Sequence, residues 1–255
     1  MGEFFADIHA MPDSQLHGGR CTLFDTAEMS ALRKHEDYDS LMQLAKALSF
    51  QLRYREATGV YTKAIAVKPN DTKAYRLRAA RYINTLQPAK AMADFLHCRD
   101  AGGDIVDLSY RIGLCLYFMG RYRWAMEEFE TAITHSDEEM GIAIIYWHTL
   151  SAWRCGAEPT LLKKYRTGMQ VGHHTGYDKA MALAAGVTDW ETFWEGLKGE
   201  CEDLEFSIVA YGGCGYLAQK GSPAQAQTLL QEILSRDSFW ISYAYLAAWN
   251  DRYRT

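Results

Sequence analysis

Three eight-residue segments decide how this chain folds: ATGVYTKA at 57–64, AMADFLHC at 91–98 and AMEEFETA at 125–132. Each begins with alanine, carries an aromatic residue at its fifth position and ends with a small residue. The segments start at Ala57, Ala91 and Ala125, so their spacing is 34 residues. A repeat of this length indicates an array of similar helical units.

A second set of small residues precedes the three segments in the same register: Ala45, Ala79 and Gly113. Small residues on two facing helices allow the helix axes to approach closely, and neither helix can bury its apolar stripe alone. We therefore predict that each repeat is a pair of antiparallel helices, A and B. Turn residues such as Ala101-Gly102-Gly103-Asp104 separate one pair from the next.

This pattern resembles the tetratricopeptide repeat (TPR) family. The first repeat carries Leu44-Ala45, Leu48, Ala57, Tyr61, Ala64 and Pro69 at family positions, and the third carries Ile112-Gly113, Leu116, Ala125, Phe129 and Ala132. The family's tryptophan at the fourth position is replaced by Leu41, Tyr75 and Ser109. The resemblance implies an all-α fold, a right-handed superhelical solenoid of antiparallel helix pairs (TPR-like). It also implies a non-enzymatic scaffold or adaptor that binds a protein or peptide segment.

The chain divides into an N-terminal arm with a short helix, 1–37, and a TPR-like solenoid, 38–255. Regular repeats are predicted at about 38–71, 72–105 and 106–139, irregular helical pairs at 140–200, a final unit at 204–236 and a capping helix at 239–253. Within the irregular part, helices are predicted at 141–155, 160–166, 177–185 and 189–198. The capping helix is expected to cover the exposed end of the stack.

The order of these parts is similar to that of bacterial TPR proteins of the NlpI type. The residues that carry this likeness are Trp147 in a fourth helix A, Trp190 and Trp194 in the linker helices, 205–221 with Ala226 in the final unit, and the aromatic cap. The resemblance implies an exported, lipid-anchored adaptor that presents partners to periplasmic proteases or cell-wall enzymes. The sequence shows no lipid-attachment site, which argues against that location.

In such a superhelix the A helices line the concave surface, so their inward positions form a candidate peptide-binding groove. The residues assigned to it are Lys46, Lys73, Arg76, Tyr110, Arg111, Tyr117 and His148. Four cations on one face of an acidic protein favour an acidic segment or a terminal carboxylate, bound by charge-assisted hydrogen bonds. The alternative is that these are solvated charges paired with Asp39 and Asp107.

A second candidate contact surface is the run Tyr211-Gly212-Gly213-Cys214-Gly215, in which Tyr211, Gly212 and Gly215 would meet a ligand. Each glycine inside a helix costs about 1 kcal/mol relative to alanine, so three of them need a reason. One reason is close packing of a neighbouring helix. The other is a ligand, or the chain's own N-terminal segment, lying against that face.

The first 24 residues show no helical period. Asp25-Thr26-Ala27-Glu28 then reads as a capping box that opens a helix to about Lys34. The arm before it has three interpretations: it is disordered, it caps the first repeat, or it exchanges between protomers and makes a homodimer. The sequence does not choose between them.

Composition narrows the classes of function. The chain has 255 residues and a formal charge of −5, which argues against nucleic-acid binding. No apolar run reaches the roughly 18 residues of a membrane span, and no signal peptide precedes the repeats. We therefore expect a cytoplasmic protein, or an exported one if a leader has been removed. The six scattered cysteines are expected to be reduced and mostly buried.

No residue is assigned a catalytic role, and no metal or other cofactor is predicted. His173-His174 with Asp178 is a weak metal candidate, because adjacent histidines usually point apart. Two alternatives to a scaffold stay open. One is a peptide-sensing regulator, although 1–37 is too short for a full helix-turn-helix domain. The other is a TPR-like domain with a small-molecule or catalytic pocket near His148, His173 or Cys214.

Overall fold

The computed structural model describes residues 24–199 and 201–252. These contain thirteen α-helices, two short 3-10 helices and no β-strand. The helices are α1 Ala27–Leu32, α2 Tyr38–Phe50, α3 Tyr54–Val67, α4 Thr72–Asn84, α5 Pro88–Asp100, α6 Ile105–Phe118, α7 Tyr122–Ile133, α8 Glu138–Arg154, α9 Thr175–Ala184, α10 Trp190–Lys198, α11 Asp203–Gln219, α12 Pro223–Ser235 and α13 Tyr243–Arg252. Most of the N-terminal arm, and with it the predicted homodimer contact, lies outside the described residues.

The described part of the chain folds as two compact units, which divide between Asp104 and Ile105. Unit 1 contains α1 to α5 and unit 2 contains α6 to α13. The division falls between the second and third predicted repeats. Each unit is described by itself below.

Unit 1 consists of two helix pairs, α2 with α3 and α4 with α5, preceded by α1. The predicted small columns lie at the pair interfaces, where Ala45, Ala57, Ala79 and Ala91 are all completely buried. A larger side chain at any of these positions would separate the paired helices. The sequence prediction of helix pairs is confirmed in this unit.

The turn inside each regular repeat uses the same backbone geometry. Leu52 and Leu86 have positive φ angles of 61° and 51°, and the equivalent residue of the third repeat is Gly120, at 72°. The backbone amide of the following residue then bonds to the carbonyl five residues before it, as Arg53 N donates to Leu48 O over 2.9 Å, and this bond ends the first helix of the pair. Leucine is strained at positive φ. Leu52 and Leu86 are buried, so apolar burial offsets that strain.

Ion pairs connect the elements of unit 1. The guanidinium of Arg78 on α4 donates two hydrogen bonds to Asp94 on α5, at 2.8 and 2.7 Å.

The start of α1 is capped by Thr26, whose hydroxyl oxygen accepts a hydrogen bond from Met29 N over 3.1 Å. The predicted capping box also requires a glutamate three residues after the cap, and Met29 occupies that position. Asp25 instead bonds to Arg33 and Arg53. Its bond with Arg33 is the main reason that the pKa of Asp25 falls to about 2.

Unit 2 begins with the third repeat, α6 and α7, in which a methyl group on Gly113 would lie 2.6 Å from the Phe129 ring. Helix α8, which corresponds to the fourth helix A, begins three residues before its predicted start. Asp137 caps it, since the Asp137 side chain accepts a hydrogen bond from Met140 N. A 3-10 helix, Thr160–Lys164, replaces the helix predicted at 160–166. Helices α9 to α12 occur within a few residues of the predicted positions.

The C-terminal helix differs most from its prediction. A 3-10 helix spans Asp237–Phe239, the chain then leaves helical geometry, and α13 begins at Tyr243. Ser242 starts the new helix, since its Oγ accepts from Tyr245 N over 3.0 Å. Seven consecutive residues of α13, from Ala244 to Asn250, are buried. A helix buried all round is an interior element, so α13 does more than cover an exposed end.

Candidate functional site

The first helices of the two pairs in unit 1, α2 and α4, each expose a stripe of side chains. On α2 the stripe is Asp39, Gln43, Lys46 and Phe50, whose spacing of three and four residues places them on one side of the helix. On α4 the exposed residues are Lys73 and Arg76, three positions apart. We call these six side chains the unit 1 face. It carries three cations, one carboxylate and one aromatic ring.

Phe50 belongs to this face, although sequence reasoning assigned only its neighbours to the groove. Its residue is 90% exposed, which is unusual for a large apolar side chain. The preceding residue, Ser49, turns inward and donates to Ala45 O over 2.7 Å. The available signal was its place four residues after Lys46, where the two side chains are neighbours on the helix surface.

The groove residues predicted in unit 2 do not form an open groove. Tyr110, Tyr117 and His148 are buried, with 7%, 2% and 0% exposure. Arg111 is paired with Asp107, its Nε lying 2.7 Å from Oδ1, and its Nη1 donates to the Tyr243 hydroxyl over 2.9 Å. The alternative interpretation, pairing with Asp107, therefore describes Arg111. The proposal of an accessible basic surface is restricted to unit 1.

Aromatic rings fill the space that these residues face. The Trp147 ring lies 5.0 Å from that of Tyr117 and 5.2 Å from that of Tyr146, both edge to face. Tyr146 meets Tyr177 at 4.9 Å in the same geometry. Edge-to-face pairs of this kind add stability beyond the area they bury. The inner side of unit 2 is thus a packed aromatic core.

A polar network crosses this core and ends on the C-terminal helix. Tyr211 on α11 donates from its hydroxyl to Asp251 Oδ2 over 2.8 Å. The Tyr117 hydroxyl lies 2.8 Å from that of Tyr211. Because the single proton of Tyr211 points to the carboxylate, Tyr117 is the donor to Tyr211. Arg154 on α8 forms an ion pair with the same Asp251 oxygen.

Burial keeps the two tyrosines of this network neutral. Loss of hydration raises the pKa of Tyr117 and of Tyr211 well above the usual value for a phenol. Both therefore remain hydrogen-bond donors at any pH at which the protein works. The arrangement stabilises one negative charge, that of Asp251, whose side chain is 9% exposed.

Two side-chain hydrogen bonds join α13 to α6, and they follow one another in the same direction along both helices. Near its start, Tyr243 accepts from Arg111, and near its end, Asn250 Nδ2 donates to Phe118 O over 3.1 Å. Both bonds join residues 132 positions apart, so the two helices stay in register. Ser242, just before α13, also meets Ser207 of α11 at 2.8 Å.

The glycine run of α11 is a packing feature. A methyl group on Gly212 would lie 2.6 Å from the methyl carbon of Ala180, and one on Gly215 would lie 2.4 Å from Leu150 Cδ2. Tyr211 is 1% exposed. Neighbouring helices α8 and α9 already occupy the space that a ligand would need, so the packing interpretation describes these residues. The second contact surface predicted at Tyr211, Gly212 and Gly215 is therefore occupied by the chain itself.

The sites proposed for chemistry are occupied by ordinary contacts. His148 Nε2 lies 3.3 Å from Glu130 Oε1 and from Thr160 Oγ1. Burial is the main cause that lowers the pKa of His148. Cys214 is buried, with its Sγ 3.4 Å from Ala226 O. Among the residues that the structure describes, no three His, Cys, Asp or Glu side chains form a group suited to a metal.

A cavity of about 290 Å³ lies among α9, α10 and α11, and neither His148, His173 nor Cys214 lines it. Its apolar lining includes Phe193, Leu197 and Val209, and its polar lining includes Thr192 and Lys179. Lys179 is already paired with Glu205 at 2.8 Å. The cavity is large enough for a small ligand. His173 lines a second hollow, of about 380 Å³, and its Nδ1 lies 2.6 Å from Glu139 Oε1.

Two residues of the network, Arg154 and Asp251, were not identified from the sequence. The signal for α13 itself was available, because AYLAAWN at 244–250 has apolar residues on all sides of a helix. Its hydrogen-bond partners on α6, α8 and α11 lie between 40 and 132 positions away in the chain. No local pattern reports contacts at such separations.

Paired helices in a 34-residue register place the regular part of this chain in the class of TPR-like helical repeats. Proteins of this class use their extended helix faces to bind other proteins. The helix pairs confirm the sequence prediction of TPR-type repeats.

Known proteins that are similar to this chain include two TPR proteins. No family model matches the chain. The chain is similar to tetratricopeptide repeat protein 28 of Mus musculus, with 25% identity over 129 residues, which are 51% of this chain and 5% of the mouse protein. A crystal structure of YrrB, a TPR protein with an unusual peptide-binding site, aligns with 15% identity and a TM-score of 0.47, covering 89% of this chain and 98% of YrrB.

Four expectations from the sequence stay predictions: the likeness to NlpI-type proteins, the cytoplasmic location, the homodimer and the absence of nucleic-acid binding. Within residues 24–199 and 201–252, no helix combines the length and the apolar character that crossing a membrane requires.

Proposed function

We propose that this protein is a binding scaffold whose unit 1 face takes an acidic segment of another protein. The observation that carries the proposal is the exposure of Lys46, Lys73, Arg76 and Phe50 on the first helices of unit 1. In unit 2 the predicted groove residues Tyr110, Tyr117 and His148 are buried, and Arg111 is paired with Asp107.

The chemistry of the face suits a short acidic and apolar motif. Each exposed pair of a cation and a carboxylate contributes at most about 1 kcal/mol, so several pairs must act together. The Phe50 ring offers apolar area next to Lys46, so a partner side chain that covers the ring adds apolar burial. Because the cations are exposed, salt should weaken the interaction.

The test compares two triple charge reversals. Lys46→Glu, Lys73→Glu and Arg76→Glu together change the unit 1 face. Arg55→Glu, Lys63→Glu and Lys90→Glu make the same change in net charge on the second helices, α3 and α5, where these residues are also exposed. The probes are synthetic peptides that combine three glutamates with one leucine or phenylalanine. Their binding is measured by fluorescence polarisation at low and at physiological salt.

We expect the wild type and the second-helix variant to bind the peptides alike, with affinity that falls as salt rises. The unit 1 face variant should lose at least about tenfold in affinity, because it loses several exposed pairs together. Equal binding by all three proteins, or no binding by the wild type, would reject the unit 1 face as the site. Proteins captured from the native host by the wild type and lost by the same variant would identify the partner.

The cavity among α9, α10 and α11 favours one alternative function, the binding of a small apolar molecule. Its lining by Phe193, Leu197 and Val209 is the observation behind it. Val209→Trp, which fills the cavity, would abolish the binding of an apolar fluorescent probe without changing the binding of the acidic peptides.

A further inference from the structure

We propose that the first helices of unit 2, α6, α8 and α11, form a helix-binding site whose resident occupant is the chain's own C-terminal helix, α13. In this arrangement α13 is a separable ligand rather than a fixed part of the core. A helix of the same pattern supplied by another molecule competes for the same site. The proposal does not depend on the unit 1 face.

The register of α13 against α6 is the first argument. The bonds Arg111 to Tyr243 and Asn250 to Phe118 join residues with one constant separation of 132, at the two ends of α13. A helix that only covers the end of a stack has neighbours on its preceding pair. Helix α13 packs on α11 and α12, and it also reaches α6 and α8 through its polar side chains.

The division of chemical roles is the second argument. The array helices supply the cation and the neutral donors, namely Arg154, Tyr211 and Tyr117, and α13 supplies the carboxylate, Asp251. This is how a receptor site holds an acidic residue of a ligand helix. Trp249 of α13 is buried at 8% exposure and resembles the apolar contacts that dominate helix-in-groove binding. Tyr245 turns to α12 instead, where its hydroxyl donates to Leu234 O over 3.4 Å.

The connection of α13 to the chain is the third argument. The chain leaves helical geometry between Phe239 and Tyr243, so α13 is joined through a short non-helical link. A helix joined to the preceding one only through such a link can open locally at lower cost than the whole domain.

The site therefore recognises a helix of defined chemistry. It has an aromatic hydroxyl at one end, small and aromatic apolar residues in the middle, and a carboxylate eight positions after the hydroxyl, as in Tyr243 and Asp251. Ala244, Ala247 and Ala248 allow close approach of the helix backbone, since all three are completely buried.

The first experiment measures amide hydrogen exchange on the full chain. A separable α13 exchanges at least about a hundredfold faster than α11, because local opening is easier than global unfolding. Asp251→Asn should accelerate exchange in α13 about tenfold further and leave α11 unchanged. If α13 and α11 exchange at one rate and shift together in the variant, α13 is ordinary core and the proposal is wrong.

The second experiment adds a labelled peptide of residues 240–252 to the full-length protein. The wild type should bind it weakly, since α13 occupies the site most of the time. The Asp251→Asn chain should bind it at least about tenfold more tightly, because the weakened resident helix leaves the site open more often. The peptide retains Asp251, and Arg154 remains in the array to receive it.

Two controls separate site opening from general loosening. A peptide carrying Asp251→Asn should lose the gain on the Asp251→Asn chain. The double variant Asp251→Asn with Arg154→Met should also lose it, although its own α13 is at least as loose. Equal binding by the single and double variants would overturn the assignment of Arg154 as the receptor for the carboxylate. No binding to the Asp251→Asn chain would overturn the proposal itself.

Discussion

Tyr211 and Asp251 are 40 positions apart in the chain, and the tyrosine hydroxyl donates to the carboxylate over 2.8 Å. This bond joins α11 to α13 inside unit 2. Tyr117 donates to the same hydroxyl and Arg154 pairs with the same carboxylate, so α8 and α11 contact one oxygen of α13 directly and α6 is connected to it through Tyr211. Residues that would line a ligand groove in an open array hold the chain's own helix here.

Removing the hydroxyl of Tyr211 should destabilise unit 2. Tyr211→Phe leaves the Tyr117 hydroxyl without its acceptor and takes one donor from Asp251. Unsatisfied buried groups of this kind cost about 1–3 kcal/mol. Urea unfolding followed by circular dichroism measures the loss. Tyr216→Phe, at a half-buried tyrosine stacked on Trp190 of the same unit, should change stability by less than about 0.5 kcal/mol.

Gly212→Ala and Gly59→Ala should shift stability in opposite directions. A methyl group on Gly212 would lie 2.6 Å from Ala180 Cβ and 3.0 Å from Tyr146, so the helices must separate, at about 1–3 kcal/mol. Gly59 lies inside α3 with open space around it. Alanine there should stabilise the protein by about 1 kcal/mol through helix propensity. Thermal unfolding distinguishes the two, and a neutral Gly212→Ala would contradict the packing role of the glycine run.

The buried pair of Arg78 and Asp94 should contribute strongly to unit 1. Their side chains are 14% and 8% exposed, and Asp94→Ala would leave the guanidinium without its two bonds. The expected loss is about 3 kcal/mol, measured by denaturant unfolding. Glu195→Ala removes the exposed partner of Lys198 and should cost at most about 1 kcal/mol. Similar losses in the two variants would show that burial does not set the value of these pairs.

Acidification below neutral pH should destabilise the protein partly through His148. Burial holds its pKa below the ordinary value, so the unfolded chain binds more protons than the folded one as pH falls through about 6.5. The contribution of His148 is complete above that pH and is lost progressively as pH falls below it. Asp25, with a pKa of about 2, affects only a more acidic range.

The measurement is the free energy of unfolding at pH 7 and pH 5 in wild type and in His148→Gln. The variant will be less stable at pH 7, and its loss between pH 7 and pH 5 should be smaller than that of the wild type. His135→Gln, at an exposed histidine after α7, is the matched control. An unchanged pH dependence in His148→Gln would show that this histidine does not link protonation to folding.

The regular repeats could be predicted because their contacts are local. Ala45 meets its helix partner within one repeat, so a fixed spacing to Ala57 reports the contact directly. The same reasoning located Gly113, where the facing Phe129 leaves no room for a side chain. The positive φ angles at Leu52 and Leu86 could not be predicted from the sequence, because leucine rarely adopts this conformation. Only the equivalent residue of the third repeat, Gly120, is of a type that favours it.

The candidate site was predictable in unit 1 and not in unit 2. Lys46, Lys73 and Arg76 are exposed where the helix register places them. Arg111 and Tyr117 also occupy inward positions of the repeat. The position of a residue in the repeat predicts the direction of its side chain, but not the groups that the side chain contacts. In unit 2 these side chains contact aromatic rings and α13.

The sequence by itself determined the helices, their pairing and the stripe of cations, because each depends on residues within about one repeat of one another. Tertiary structure alone decided which of the inward side chains are exposed to solvent. The pairing of Asp251 with Arg154 and Tyr211 depends on the path of the whole of unit 2, and the low dielectric inside the packed rings is what makes a buried carboxylate require those partners. Spacing along the chain carries no information about that convergence.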